Sequence, residues 1–160
     1  MVKTIYMGQF DTVRSPDSLK TTLGSCVGVV LYDPETDTFG MAHIMLPTSE
    51  RGDAAHAGKY ADTAIPALIA KMGTPFQLAG RLRAKLAGGA NMFAAISQSD
   101  ERDILKVGQR NIQATLDLIQ GMGIQILGTQ LGGTQGRELV VDAKSGKVWV
   151  RSIGSDPTEL

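Results

Sequence analysis

Along this chain, short apolar runs bounded by Gly, Pro, Asp and Ser predict strands at Lys3–Tyr6, Leu19–Leu23, Cys26–Tyr32 and Phe39–Leu46. The same pattern recurs at Leu82–Ala87, Ile124–Leu131, Glu138–Asp142 and Val148–Ile153. The last two are joined by Ala143-Lys144-Ser145-Gly146, whose Ser-Gly step is a turn signal that makes them a hairpin. Two segments change to a helical period. In one, Ile112, Leu116 and Ile119 share a face before Gly121 and Gly123 stop the helix. In the other, Tyr60–Met72, the face is Ala61, Ile65, Leu68 and Met72, and Pro66 sits inside. Proline cannot donate its backbone hydrogen bond, so this helix either kinks or starts late, with Thr63 as its N-cap. Short strands with two helices make a mixed α/β domain.

Composition narrows the class. A chain of 160 residues without repeats, low-complexity tracts or a Pro/Ser linker reads as a single domain, 1–160. Sixteen basic residues balance sixteen acidic ones, and no Lys/Arg run marks a nucleic-acid or membrane patch. The N-terminal M-V-K-T-I-Y-M-G-Q-F-D lacks the apolar segment of a signal peptide, and no stretch is apolar enough to span a bilayer. A single cysteine cannot form an internal disulfide, which fits a reducing compartment. The expectation is a cytoplasmic protein, monomeric when unbound, with no nucleic-acid partner and no membrane insertion.

Several candidate motifs dissolve on inspection. Gly88-Gly89 and Gly132-Gly133 lack the Lys-Ser/Thr of a phosphate loop, and Gly121-Met122-Gly123 follows a helix, the reverse of the dinucleotide order. Tight turns with positive φ account for all of them. Cys26, His43 and His56 match no zinc spacing, and no carboxylate cluster completes a site, so no metal and no cofactor are expected. Trp149, alone in a strand pattern, reads as core or half-buried packing.

One pair survives. Asp33-Pro34-Glu35-Thr36-Asp37-Thr38 is a run of turn formers between two strand patterns, which predicts an antiparallel hairpin. With the turn centred between Glu35 and Thr36, Cys26 lies opposite Met45 and His43 is its diagonal neighbour on the same face. Backbones there stand about 7–8 Å apart, within reach of a side chain. A thiolate beside an imidazole is a nucleophile with its base, and the same imidazole can protonate a leaving amine and then activate water. Such activation predicts a thiol more reactive than an ordinary one. The competing reading is a small buried thiol and a packed histidine between Met41 and Met45.

A resemblance favours the chemical reading. T-L-G-S-C-V-G-V-V-L-Y-D-P followed by G-M-A-H-I-M-L-P resembles the signature of the chemoreceptor glutamine deamidases, the CheD family. The similarity continues through G-K-Y-A-D-T-A (58–64), A-K-L-A-G-G-A-N-M-F (84–93), G-Q-R-N-I (108–112) and L-G-G-T-Q-G-R (131–137), nearly the whole chain in order.

That resemblance implies an α/β fold, a single-domain three-layer α/β sandwich with mixed and antiparallel strands and two main helices. It implies hydrolysis of receptor glutamine side-chain amides to glutamate, releasing ammonia. Cys26 is then the nucleophile and His43 the base. Thr21 matches the threonine that orients the imidazole, although an ungapped reading puts Lys20 there and Thr22 also remains open. Gln130 stands where family members often carry an acidic residue, so that loop receives no role. His56 and Asp62 match no catalytic role, and His56 reads as a solvated loop residue. Implied partners are the cytoplasmic helices of a chemoreceptor and a chemotaxis phosphatase of the CheC type. The alternatives are a receptor methylesterase, a Cys–His hydrolase of other proteins, and an adaptor that binds phosphatase and receptor.

Overall fold

The computed structural model describes residues 1–49, 54–92 and 106–160. Among the described residues, ten strands form two five-stranded sheets: β1 (Val2–Thr4), β2 (Phe10–Val13), β3 (Ser18–Leu23), β4 (Val27–Asp33), β5 (Thr38–Ile44), β6 (Arg83–Gly88), β7 (Gln125–Leu131), β8 (Arg137–Asp142), β9 (Lys147–Ser152) and β10 (Thr158–Glu159). One sheet has the order β1-β3-β8-β9-β10 and the other β2-β5-β4-β6-β7. The β1–β3 and β6–β7 pairs are parallel and the rest antiparallel.

Strand parity explains the layering. On β4, Val27, Val29 and Leu31 face one way and pack with Ile65, Leu68 and Ile69 of helix α1 (Ala61–Met72) and Ile119 of helix α2 (Val107–Gly121). The other face of this sheet presents Cys26, Val30, Met41 and Ala87 to Leu19, Leu23, Leu139 and Val150 of the first sheet. The result is the expected three-layer sandwich: sheet, sheet, helices. Buried on both faces, β5 shows no exposed residue at all.

Several local expectations change. β2 is an edge strand whose centre is Asp11-Thr12, too polar and too short for its pattern to register. The two-residue β10 and the 3₁₀ segments Ala54–Lys59 and Phe76–Arg81 carry no periodic signal either. Helix α1 neither starts late nor uses Thr63 as its cap: it begins at Ala61 and runs uninterrupted through Pro66 to Gly73, which closes it in the left-handed region. Burial of Ala61, Ala64, Ile65, Leu68, Ile69 and Met72 outweighs the roughly 3 kcal/mol of an interior proline. The predicted β4–β5 register is the observed one, Val27 opposite Ile44 through Asp33 opposite Thr38. The β8–β9 hairpin also forms as expected. Trp149 is half-buried.

Candidate active site

The chain leaves the first sheet at Leu23 and enters the second at Val27, so Gly24-Ser25-Cys26 is the crossover between sheets. Nothing in a regular ladder can hold such a bend, and its carbonyls are tied individually. Ala90 N–H donates to the Gly24 carbonyl (3.0 Å) and Gly89 N–H to that of Cys26 (2.8 Å). Asn111 Nδ2 donates to the Ser25 carbonyl (3.2 Å) and also to that of Met45 (2.9 Å). The turn glycines serve this arrangement. Gly88 has φ +107°, and a Cβ there would lie 2.2 Å from the Cys26 carbonyl oxygen.

Cys26 is buried, 9% exposed, and belongs to the core cluster between the sheets. His43, on the β5 strand next to it, points into the same space, because Thr21 of the opposing sheet meets its ring there. Gly28 stands directly opposite His43 and contributes no side chain to the gap. A Cβ at Gly28 would fall 2.7 Å from Leu139 and 2.9 Å from Leu23, so the sheets close to contact beside the pair.

The hydrogen bonds fix the histidine tautomer. Thr21 has one hydroxyl hydrogen, which goes to the Ile5 carbonyl at 2.5 Å. Toward His43 Nδ1, 2.7 Å away, the same oxygen therefore accepts, and Nδ1 carries the ring proton. Nδ1 also stands 3.5 Å from the Ile5 carbonyl, a second acceptor. Nε2 keeps its lone pair and is buried without a hydrogen-bond partner. No hydrogen bond joins it to the Cys26 sulfur; the two residues are diagonal neighbours whose contact remains open, as is common in unliganded sites.

Burial pushes the Cys26 thiol above its ordinary value of 9.0. Burial also lowers the His43 imidazole below 6.5, although the Ile5 carbonyl works the other way. Both shifts favour a thiol beside a neutral imidazole at rest, against the more reactive thiol that activation by His43 predicts. A pair in that state can react only if the proton moves from sulfur to imidazole as the sulfur attacks.

Of the other candidates, Lys20 and Thr22 are exposed, on the face of β3 away from His43. His56 is exposed in the 3₁₀ segment. Asp62 accepts hydrogen bonds from the Ser49 N–H (3.0 and 3.2 Å). The Gln130 backbone carbonyl accepts from Arg137 Nη1 (2.6 Å). Among the described residues no cluster of three His, Cys, Asp or Glu could hold a metal. A cavity of about 220 Å³ beside Tyr32, Phe39, Arg83 and Lys85 shares no residue with this site. Asn111 and the Gly89-Ala90 amides are what sequence reasoning missed. Their signal lies in G-G-A and G-Q-R-N-I, two of the motifs that carry the family resemblance.

A family model described as CheD chemotactic sensory transduction matches residues 45–152. That span omits Thr21, Cys26 and His43, but full-length relatives cover them. A protein of Desulforamulus reducens is 44% identical over 151 residues, 93% of this chain and 89% of its own. One of Methanococcus vannielii is 41% identical over 94% of this chain and 95% of its own. The chain belongs to the CheD family. Both relatives are named probable chemoreceptor glutamine deamidase CheD. A third CheD relative, from Halalkalibacterium halodurans, is named chemoreceptor glutamine deamidase and is 36% identical over 99% of this chain and 98% of its own. Among the described residues no helix is long and apolar enough to cross a membrane.

Proposed function

We propose that this protein hydrolyses the side-chain amide of glutamines on chemoreceptors to glutamate, with Cys26 as nucleophile, His43 as base and Thr21 as the group that orients His43. The observation that carries the reading is the hydrogen bond from His43 Nδ1 to Thr21, which leaves Nε2 as a free acceptor on the face that Cys26 shares. The names of the CheD relatives supply the substrate class.

In the reaction, Nε2 takes the thiol proton as sulfur attacks the glutamine side-chain carbonyl carbon. The negative charge moves to the amide oxygen, where backbone N–H groups of the Ser25–Cys26 bend meet it. The imidazolium then returns its proton to the amide nitrogen, the C–N bond breaks, and ammonia leaves a thioester behind. His43 removes a proton from water as it attacks that thioester, and the departing sulfur is reprotonated. Glutamate remains on the receptor. Cys26 and His43 relay the protons, water is the one co-substrate consumed, and no cofactor enters.

Exposed apolar side chains surround this end of the molecule. Tyr6 and Met7 stand beside the Gly8 N–H that bonds the His43 carbonyl, and Met92 lies against Gly24. Such a rim suits a protein surface better than a free amino acid, and a receptor's cytoplasmic helices are that surface. A cytoplasmic location and a CheC-type phosphatase partner complete the proposal. The test is deamidation of a glutamine-bearing receptor helix, read as ammonia release. Turnover by wild type and none by Cys26→Ala supports the reading; methanol release from a receptor methyl ester with no action on the amide would replace it by the methylesterase alternative.

A further inference from the structure

We infer that Asn111 is a positioning residue for the oxyanion site, aiming the Cys26 N–H at the amide oxygen of the substrate; this rests on the deamidase reading above. The two contacts of its carboxamide are both with carbonyl oxygens, Ser25 at 3.2 Å and Met45 at 2.9 Å. Carbonyls only accept, so the NH₂ group must face them and both of its hydrogens are used. Ser25 immediately precedes the nucleophile, and Met45 is the residue that the ladder, continued one step, sets across from Cys26. One side chain on α2 thereby spans the two strands that carry Cys26 and His43.

The peptide plane converts this tie into an aim. In a trans peptide the N–H of one residue points opposite to the preceding C=O. With the Ser25 carbonyl drawn toward α2, the Cys26 N–H is sent the other way. The Gly24 carbonyl, held by Ala90 N–H at 3.0 Å, does the same for the Ser25 N–H. Neither N–H donates to another group among the described residues. Two adjacent free donors at a nucleophile are what a developing oxyanion requires.

Two further observations distinguish this from ordinary packing. Asn111 is wholly buried, yet its Oδ1 has no hydrogen-bond partner. An orphaned buried acceptor is destabilising, so a position selected for stability alone would hold an apolar side chain. The helix is also brought unusually close: a Cβ at Gly108 would lie 2.6 Å from the Gly89 carbonyl oxygen and 2.8 Å from that of Ala90. Gly108 permits the approach from which Asn111 reaches the bend.

The experiment compares wild type with Asn111→Leu in the full chain, using two reactions at Cys26. Deamidation of a glutamine-bearing receptor helix develops an oxyanion; alkylation by iodoacetamide does not. The expected result is a fall in kcat of about 100-fold with KM held within about threefold. Alkylation should stay within about twofold, because thiol position and basicity are unchanged. Asn111→Ser, which leaves room for a bridging water, should show the same split with a smaller loss. Unchanged kcat, or alkylation falling in step with turnover, overturns the inference. So does loss of native circular dichroism in both variants, which would make the side chain a structural requirement. If wild type releases no ammonia, the deamidase reading fails and this inference with it; an active wild type beside an unimpaired Asn111→Leu overturns this inference alone.

Discussion

At Cys26 and His43, burial acts on both titratable groups in the direction that keeps them neutral. The consequence is a pH profile with a known sign. His43 works as a base only when unprotonated, and its pKa is displaced downward from 6.5. Deamidation should therefore hold its neutral-pH rate as the medium is acidified to about pH 6.5 and collapse at lower pH, as kcat/KM against pH would show. Alkylation of the resting thiol should be slow at pH 7 and climb steeply above pH 9, the opposite of an activated thiolate; rapid alkylation at pH 7 would restore the ion pair. Thr21 lies one hydrogen bond further out, against His43 Nδ1. Thr21→Ala removes the acceptor of the Nδ1 proton and should lower kcat by about 10–100-fold through misalignment. Thr21→Ser should recover most of the loss, and Thr22→Ala, exposed on the other face, should behave as wild type. Activity loss only in Thr22→Ala would move the orienting role by one residue.

Elements place these residues by contact between loops. The bend from β3 to β4 takes its shape from Gly88–Ala90 and α2, so Gly88→Ala should be far more harmful than a methyl group suggests. It combines an unfavourable φ with a Cβ against the Cys26 carbonyl, and a loss of stability of about 2 kcal/mol or more should accompany lost turnover in thermal melts and assays. At the far end of the same hairpin, buried Asp33 accepts from Thr74 Oγ1 (2.6 Å) and from Arg81 Nε (3.0 Å) and Nη2 (2.8 Å). Burial alone would raise its pKa, but those bonds and the Glu35 N–H outweigh it and hold the carboxyl below its ordinary 3.8. Stability from this network is present above that value and lost as pH falls through the lower folded one. Arg81→Met should lower Tm at neutral pH and flatten the acid dependence, with kcat per folded molecule unchanged. An activity loss larger than the folded fraction explains would contradict that separation.

The β4–β5 register, and with it the shared face of Cys26 and His43, was legible because strand parity and a turn of Asp, Pro and Thr suffice to specify a hairpin. Which sheet would face it was not legible from periodicity. The Thr21–His43 bond joins strands whose pairing depends on the packing of two sheets, a distance no local pattern encodes. β2 escaped notice for a different reason: an edge strand keeps polar residues such as Asp11 that a central strand excludes. Asn111 was hidden by its type, since Asn in a helix reads as a weak helix former and not as a buried donor pair. Enclosure of the thiol between the sheets, which pushes its pKa up, was legible only as the competing reading of a small buried cysteine, because local pattern does not say which sheet covers it.

For the whole molecule, recognition and chemistry occupy different extents of surface. On the proposed mechanism turnover needs only the cluster at the sheet crossover, whereas binding a receptor helix or a phosphatase would need a face of several hundred square ångströms. Cys26→Ala should accordingly bind receptor fragments and a CheC-type phosphatase with near wild-type affinity while losing chemotaxis wherever receptors depend on glutamine conversion. Cells carrying Cys26→Ala that navigate normally, beside deletion cells that cannot, would make the protein an adaptor. The most direct measurement is mass spectrometry of receptor peptides after incubation with wild type or Cys26→Ala. The account predicts an amide-to-acid mass gain at receptor glutamines with wild type only. No gain with wild type, or an equal gain with Cys26→Ala, would contradict it.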